Sequence, residues 1–498
     1  MTAWPRSARV DVVASTPAPL RVLSVIPPTW LVGAAVGAIL GIVAGQAATR
    51  GSLPYYLALI IVAVPFAGII VGGLRRLLLA ALVLDIVLRW DINLFSHGLG
   101  PSPEGLNVSL TTICIAGLYA IWLADALSRR TLAAGPAVRA SLIPLLYILS
   151  TSLSLVVAAD KMVGVFNVVL LVQTFVVFFY IVTNFRDWSG FRFIMITLVL
   201  AMFLESSAVI LSYLFGHDFA VAGLKSYAYA DSPESGAIYR PGGTIGSPNV
   251  AGSFLGLGLA PILMMLKTPV SYRLKIFTAI SFGLGTVALV LTFSRGGWLA
   301  FVTSMLVVLC ASRMRHLFRV RFLILAFTTV IIVILPFRDL ILARLNASGG
   351  TQSRIPLMQI AWQMIEANPL LGVGVNNFFF ALPNYAGPEF SGDWLAIVHN
   401  QFLLIWSESG FLALLTFVAF ILTSIWHGLR AVARAGEPLA LLAVGLTASM
   451  VGMVPNMFVE RFVNRPQIGL LWLIAALLTA ISLSPLATSR KAVHDAVP

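Results

Sequence analysis

The chain has 498 residues, 59% hydrophobic and only 10% charged, with a formal net charge of +13 and a mean hydropathy of +0.96. Soluble domains are roughly a quarter charged, so the composition excludes an ordinary soluble protein. The basic residues sit in turns between apolar runs, which reads as a topology signal and not as a nucleic-acid footprint. Cys114 and Cys310 each fall in an apolar run with no second thiol nearby, so neither a disulfide framework nor a thiolate metal site is expected.

In chain order, residues 1–28 read as a cytoplasmic tail with Arg6, Arg9 and Arg21 and no apolar core. Apolar spans follow near 30–48, 55–73, 77–90, 108–127, 140–158, 163–183, 193–215, 248–266, 276–293, 297–312, 322–336, 400–426, 439–458 and 466–484. The segments 77–90 and 297–312 are short and can merge with a neighbour or re-enter. The expected fold is therefore an all-α polytopic membrane protein with about 12–14 transmembrane helices. Its expected divisions are the tail, an N-terminal transmembrane bundle over 29–215, an outer loop over 216–247 and further spans over 248–336. A long outer catalytic loop over 337–399, C-terminal spans over 400–484 and a second cytoplasmic tail over 485–498 complete the chain. With the N-terminus inside, the inner segments hold 21 of the 32 lysines and arginines, as the positive-inside rule requires.

Basic residues on the outer side run against that rule. Arg240, Arg295, Arg354, Arg461 and Arg465 all lie outside or at the outer edge of a span. Each alone reads as a snorkelling or ion-paired residue; their convergence on one face favours a ligand. Four outer segments carry the chemistry. The first runs from Tyr239-Arg240-Pro-Gly-Gly to Ser247-Pro248-Asn249, where a capping serine and a proline start a helix whose N-terminus favours anions. The second, Thr292-Phe-Ser-Arg295-Gly-Gly-Trp298, is a tight turn with one charge. In the third, Ser353 caps a helix to about Ala367, with Ile355, Met358, Trp362 and Ile365 as its apolar face and Gln359, Gln363 and Glu366 on another. Asn368-Pro369 stops it, and Gly372 and Gly374 follow. Arg354 sits in its first turn, where the helix dipole disfavours a cation unless an anion also binds. The fourth is His399-Asn400 at a span start, running to Glu408-Ser-Gly410. His399, exposed at the outer face, suits a general base. Glu408 lies nine residues on, on the opposite side of the helix, and with Glu205 reads as a polar contact between helices. Glu366, Glu389 and Asp393 are the other acidic candidates in the long loop. No Asp-x-Asp pair, His-Glu-x-x-His, Walker loop or dinucleotide fingerprint occurs, so metal- or nucleotide-dependent chemistry is not expected.

Together these segments resemble the O-antigen ligase and polymerase superfamily of bacterial envelope membrane proteins. The resemblance rests on Arg240-Pro-Gly-Gly with Ser-Pro-Asn249, Ser294-Arg-Gly-Gly297, Arg354 with Pro369-Leu-Leu-Gly-Val-Gly374, and His399-Asn400 through Glu408-Ser-Gly410. It implies a metal-independent glycosyltransferase of GT-C-like fold in the bacterial cytoplasmic membrane, both termini cytoplasmic, with no cofactor and no nucleic-acid partner. Its members move a glycan from an undecaprenyl-pyrophosphate donor to an acceptor hydroxyl on the outer face. By family position Arg240 and Arg295 would hold the donor pyrophosphate, with Asn249 and Asn400 among the substrate-binding residues. Arg354 would order the loop or the donor, and His399 would deprotonate or orient the acceptor, a glycan or a lipid core. A ligase and a polymerase share these motifs; the single histidine ending one long loop leans toward the ligase. A transporter of the lipid-linked glycan is the alternative of another class, but the chain shows no internal repeat.

The orientation is tested by single-cysteine labelling of intact cells. Cysteines at Ser348 and Ala386 should be labelled from outside and one at Ala311 should not; the reverse pattern would overturn the topology.

Overall fold

The computed structural model describes residues 73–89, 91–95, 105–129, 135–216, 220–221, 224–225, 227–230, 239–311, 354–387 and 397–484. The chain divides into two compact units, Met1–Leu74 and Arg75–Pro498, and the second holds all four motif segments. The expected spans near 30–48 and 322–336, almost all of that near 55–73, both tails, Arg338, Arg344, Ser353, Glu389 and Asp393 lie outside the described residues.

The remaining eleven expected spans are all helices. They are α1 (Leu74–Leu88), α2 (Leu110–Arg129), α4 (Leu142–Leu153), α5 (Lys161–Asn184), α6 (Trp188–Phe215), α7 (Pro248–Met265), α8 (Tyr272–Leu291), α9 (Arg295–Cys310), α12 (Gln401–Arg434), α13 (Leu439–Met457) and α14 (Arg465–Leu483), with the short α3 (Gly135–Ala140) before α4. Eight of them, α2, α5, α6, α7, α8, α12, α13 and α14, are long and apolar enough to cross a membrane. This is a multi-pass membrane protein. Three small antiparallel ladders interrupt the all-helical pattern: β1 (Asp91–Leu94) with β2 (Leu106–Ser109), β3 (Ala220–Val221) with β4 (Leu224–Lys225), and β5 (Tyr227–Ala230) with β6 (Tyr239–Gly243). β6 places Arg240 shortly before α7 begins. The long loop contains α10 (Arg354–Ala367) and the short α11 (Phe378–Ala381).

Burial sorts the helices into layers. The apolar windows of α7, α13 and α14 are 94%, 83% and 89% buried, against 17% for α2, so the first three form the centre. Small residues permit this. A Cβ on Gly297 of α9 would meet the Gly252 backbone of α7 at 2.6 Å, so the two helices touch backbone to backbone as small residues allow in membranes. Leucines of α4 and α12, including Leu145, Leu149, Leu415 and Leu422, remain exposed on the flank, where lipid is the solvent. Cys114 is buried and Cys310 exposed, and both are free thiols.

α12 is broken at Gly410 (φ 80°, ψ 178°). The break leaves Ser407 and Glu408 carbonyls without their helical donors, and the loop after α10 supplies replacements. Val373 N–H donates to Ser407 O (2.9 Å), Gly374 N–H donates to Glu408 O (2.8 Å), and Phe411 N–H donates to Pro369 O (2.9 Å). The Glu408 carboxylate accepts from Asn376 N–H and Phe378 N–H, both at 3.0 Å. Glu408 thus pins a loop, and the first residue of α11, to its own helix break. Glu205 acts similarly on a second loop, accepting from the Thr244 N–H and hydroxyl.

α10 shows the expected apolar face, with Ile365 buried at its edge, and a second stripe that packs inward. Its buried stripe is Leu357, Ile360, Ala361, Met364 and Ile365, packed beside α12. Ile355, Met358 and Trp362 point outward. Trp362 meets the Trp406 ring edge-on at 5.9 Å, and Trp406 Nε1 donates to Pro369 O.

The break at Gly410 makes a stability prediction. A Cβ there would lie 1.9 Å from Leu370 O, and the backbone conformation alone costs a non-glycine residue about 1–3 kcal/mol. Gly410→Ala should lower the thermal unfolding midpoint in detergent by several degrees or more. Gly283→Ala in α8, whose Cβ would meet nothing within 4 Å, should leave the midpoint unchanged or raise it.

Candidate active site

The N-termini of α7, α9, α12 and α14 and the C-termini of α8 and α13 gather at one end of the bundle. Asn456, in the last turn of α13, ties several of them together. Its Nδ2 donates to Ser253 Oγ of α7 (2.9 Å), its side-chain oxygen lies against Gly296 of α9, and its carbonyl accepts from Val459 and Glu460 N–H. The turn from Phe458 to Asn464 then reaches α12, where Gln401 Oε1 accepts from Phe462 N–H at 2.6 Å.

His399 stands one residue before the Asn400 cap of α12. Asn400 Oδ1 accepts from Phe402 and Leu403 N–H (3.0 and 3.1 Å), which fixes the backbone that carries the histidine. The imidazole is not open to the surface: its side chain is 12% exposed and Nδ1 lies 2.9 Å from Glu460 Oε1. Burial acts to raise the Glu460 carboxyl, but the hydrogen bond and charge of His399, the charge of Arg354 and the Arg461 N–H outweigh it and hold the group down at about 2. Arg354 donates to Val459 O (2.9 Å). The charge of Glu460 thus acts on this N-terminal cation from within the chain.

Arg240 is 6% exposed. Its guanidinium donates to Asn249 Oδ1 (2.7 Å), Thr292 O (3.2 Å) and Phe293 O (3.5 Å), so it clasps the start of α7 to the carbonyl end of α8, where a cation is favoured. Ser294 caps α9 through Gly297 N–H (3.3 Å), and Arg295 occupies the first helical position. Ser247 precedes Pro248 at the start of α7 as expected, although its side chain makes no capping bond. Arg465 pairs with the fully buried Asp85 of α1 and donates to Thr111 Oγ1 of α2 (2.8 Å), which makes it a brace between α14 and the N-terminal helices. Among the described residues no three of His, Cys, Asp and Glu form a group suited to hold a metal ion.

A family model described as O-antigen ligase matches residues 280–418. That segment of 139 of the 498 residues is similar to the family. That segment runs from within α8 into α12 and encloses Arg295, Arg354, the Pro369–Gly374 loop, His399, Asn400 and the Glu408–Gly410 break. Members of the O-antigen ligase family are glycosyltransferase-type enzymes, ligases and polymerases, that act on lipid-linked glycans in membranes. No curated protein matches the chain. Outside the matched segment, Arg240, Asn456 and Glu460 complete this end of the bundle.

Glu460, Asn456 and Asp85 have no place in the sequence motifs. One signal for Glu460 was present: an acidic residue directly beside Arg461, in a short turn between two strongly apolar spans. Glu366 is bonded to Trp362 Nε1 (2.7 Å) at the exposed side of α10.

The depressed Glu460 carboxyl predicts an acid-sensitive contribution to stability. Its folded value lies below its unfolded one, so the contribution is fully present above about pH 4.5 and is lost as pH falls toward about 2. Over that window the unfolding midpoint of the wild type should fall more steeply than that of Glu460→Gln. Parallel curves would mean that the His399–Glu460 pair does not form in the folded protein.

Proposed function

We propose that the protein transfers an oligo- or polysaccharide from an undecaprenyl-pyrophosphate donor to an acceptor hydroxyl on the outer face of the cytoplasmic membrane, as an O-antigen ligase. The observation that carries this reading is His399, set by the Asn400 cap and paired with Glu460 at the same end of the bundle as Arg240 and Arg295. A base and a phosphate-binding group are the two parts that displacement at a sugar–pyrophosphate bond needs.

In this reading Arg295, in the first turn of α9, meets the donor pyrophosphate with a planar fork suited to phosphate oxygens. Arg240 and Asn249 hold the turn that presents it. His399 takes the proton of the acceptor hydroxyl as the oxygen attacks the anomeric carbon and the bond to pyrophosphate breaks. Positive charge and the N-terminal dipole of α9 stabilise the leaving pyrophosphate. Direct displacement inverts the anomeric carbon and needs no metal. Arg354 orders the loop through the Val459 carbonyl and Glu460. The single histidine that ends the long loop is the feature on which the ligase reading is preferred to polymerisation.

Reconstitution with a lipid-linked oligosaccharide and candidate acceptors tests the proposal. A single acceptor adduct is expected; a product ladder would make the protein a polymerase, and unaltered glycan crossing the bilayer would make it a transporter. His399→Ala should lower turnover by about 10²–10⁴-fold while donor binding survives. Arg295→Ala and Arg295→Lys should both lose transfer with folded protein retained, because a point charge does not replace a bidentate fork.

A further inference from the structure

We infer that Glu460 is the positioning residue of the reaction: its buried carboxylate holds the His399 ring through Nδ1 and so aims Nε2 at the acceptor hydroxyl. The inference rests on the reading of His399 as the base. Glu460 lies outside the matched family segment and in a turn that no motif marks.

The geometry supports a directed contact. Glu460 Oε1 and His399 Nδ1 are 2.9 Å apart, with side chains 8% and 12% exposed. A ring nitrogen facing a carboxylate oxygen serves as the donor, so Nδ1 carries the proton and the other nitrogen, Nε2, is left as the acceptor. A carboxylate behind a histidine fixes ring orientation and tautomer in this way without itself taking the proton.

The carboxylate is itself held. Oε1 also accepts from the Arg461 backbone N–H (3.1 Å), and the charge of Arg354 acts on it while the Arg354 side chain is anchored to the neighbouring Val459 carbonyl. The Glu460 backbone N–H is fixed by Asn456 O at 2.8 Å, and Phe462 N–H is fixed by Gln401 of α12 at 2.6 Å. Both sides of the His–Glu contact therefore belong to one framework: the cap of α12 carries the histidine, and the turn bonded to that helix carries the glutamate. A loose surface ion pair would show none of this bracing. The proton abstracted by Nε2 leaves His399 as an imidazolium beside an anion, which stabilises the charge that develops in the transition state.

A double-mutant cycle tests the inference. His399→Gln, Glu460→Gln and the double variant keep an amide able to hydrogen-bond at each position, and turnover with a lipid-linked donor is measured beside donor binding. Glu460→Gln should lower kcat by about tenfold or more with donor binding unchanged, and Glu460→Asp should recover part of it. In the His399→Gln background Glu460→Gln should cost nothing further, because a group that acts through His399 has no role once it is gone. Equal losses from Glu460→Gln in both backgrounds, or wild-type turnover in Glu460→Gln, would overturn the inference while leaving His399 as the base. Wild-type turnover in His399→Gln would instead overturn the reading of His399 itself, and this inference with it. If Glu460→Gln does not accumulate as folded protein, Glu460→Asp completes the same cycle.

Discussion

The structure depends on what replaces the lost helical hydrogen bonds at Gly410. In a membrane, an unsatisfied backbone group costs several kcal/mol, so a helix breaks there only where other protein groups fill the gap. The Pro369–Phe378 loop fills it with three backbone hydrogen bonds, and Glu408 returns two more to the loop. Gly372 is bound to the same exchange, since a Cβ there would strike the Glu408 backbone at 2.4 Å. The glycine pair in the loop and the Glu-Ser-Gly in the helix are therefore two halves of one joint. The half-helix that begins after the Asn400 cap is held at its far end by this joint and at its near end by the Phe458–Asn464 turn.

Charge at the His399 end follows a consistent pattern. Arg240 is committed to carbonyls and an amide oxygen, Arg354 to a carbonyl and the field of Glu460, and Arg465 to Asp85. Several arginines that look alike as exceptions to the positive-inside rule thus do different work. Arg465 braces α14, Arg240 joins two helix ends, and Arg354 supports a carboxylate. Buried ion pairs such as Asp85–Arg465 add little net stability against an apolar replacement, but losing one partner is costly. Such pairs specify register between helices more than they strengthen the bundle.

The helices were legible because a bilayer demands long apolar runs, and all eleven expected spans within the described residues are helices. The convergence of the four motif segments at one end was legible from their alternation with the spans. Pairing was not. Glu460 lies 61 residues from His399, and Asp85 lies 380 residues from Arg465; apolar periodicity carries no record of which charged residue meets which. The inward stripe of α10 was not legible for a related reason. One apolar stripe packs against the protein and a second, with Ile355, Met358 and Trp362, faces outward. In a water-soluble protein the apolar stripe marks the interior, but where lipid is the other solvent two such stripes are chemically equivalent to a sequence pattern.

The break in α12 also bears on bilayer thickness. Residues 411–434 are helical and, at 1.5 Å per residue, extend roughly 36 Å, longer than a hydrocarbon core of about 30 Å. A continuous helix would transmit any change of tilt along its full length to Asn400. With the axis interrupted at Gly410, the direction of the 24 residues after the break is set separately from that of the nine before it, which are bonded to the loop and to the Glu460 turn. The long segment alone meets the mismatch, and His399 is placed by the Asn400 cap and the Glu460 contact.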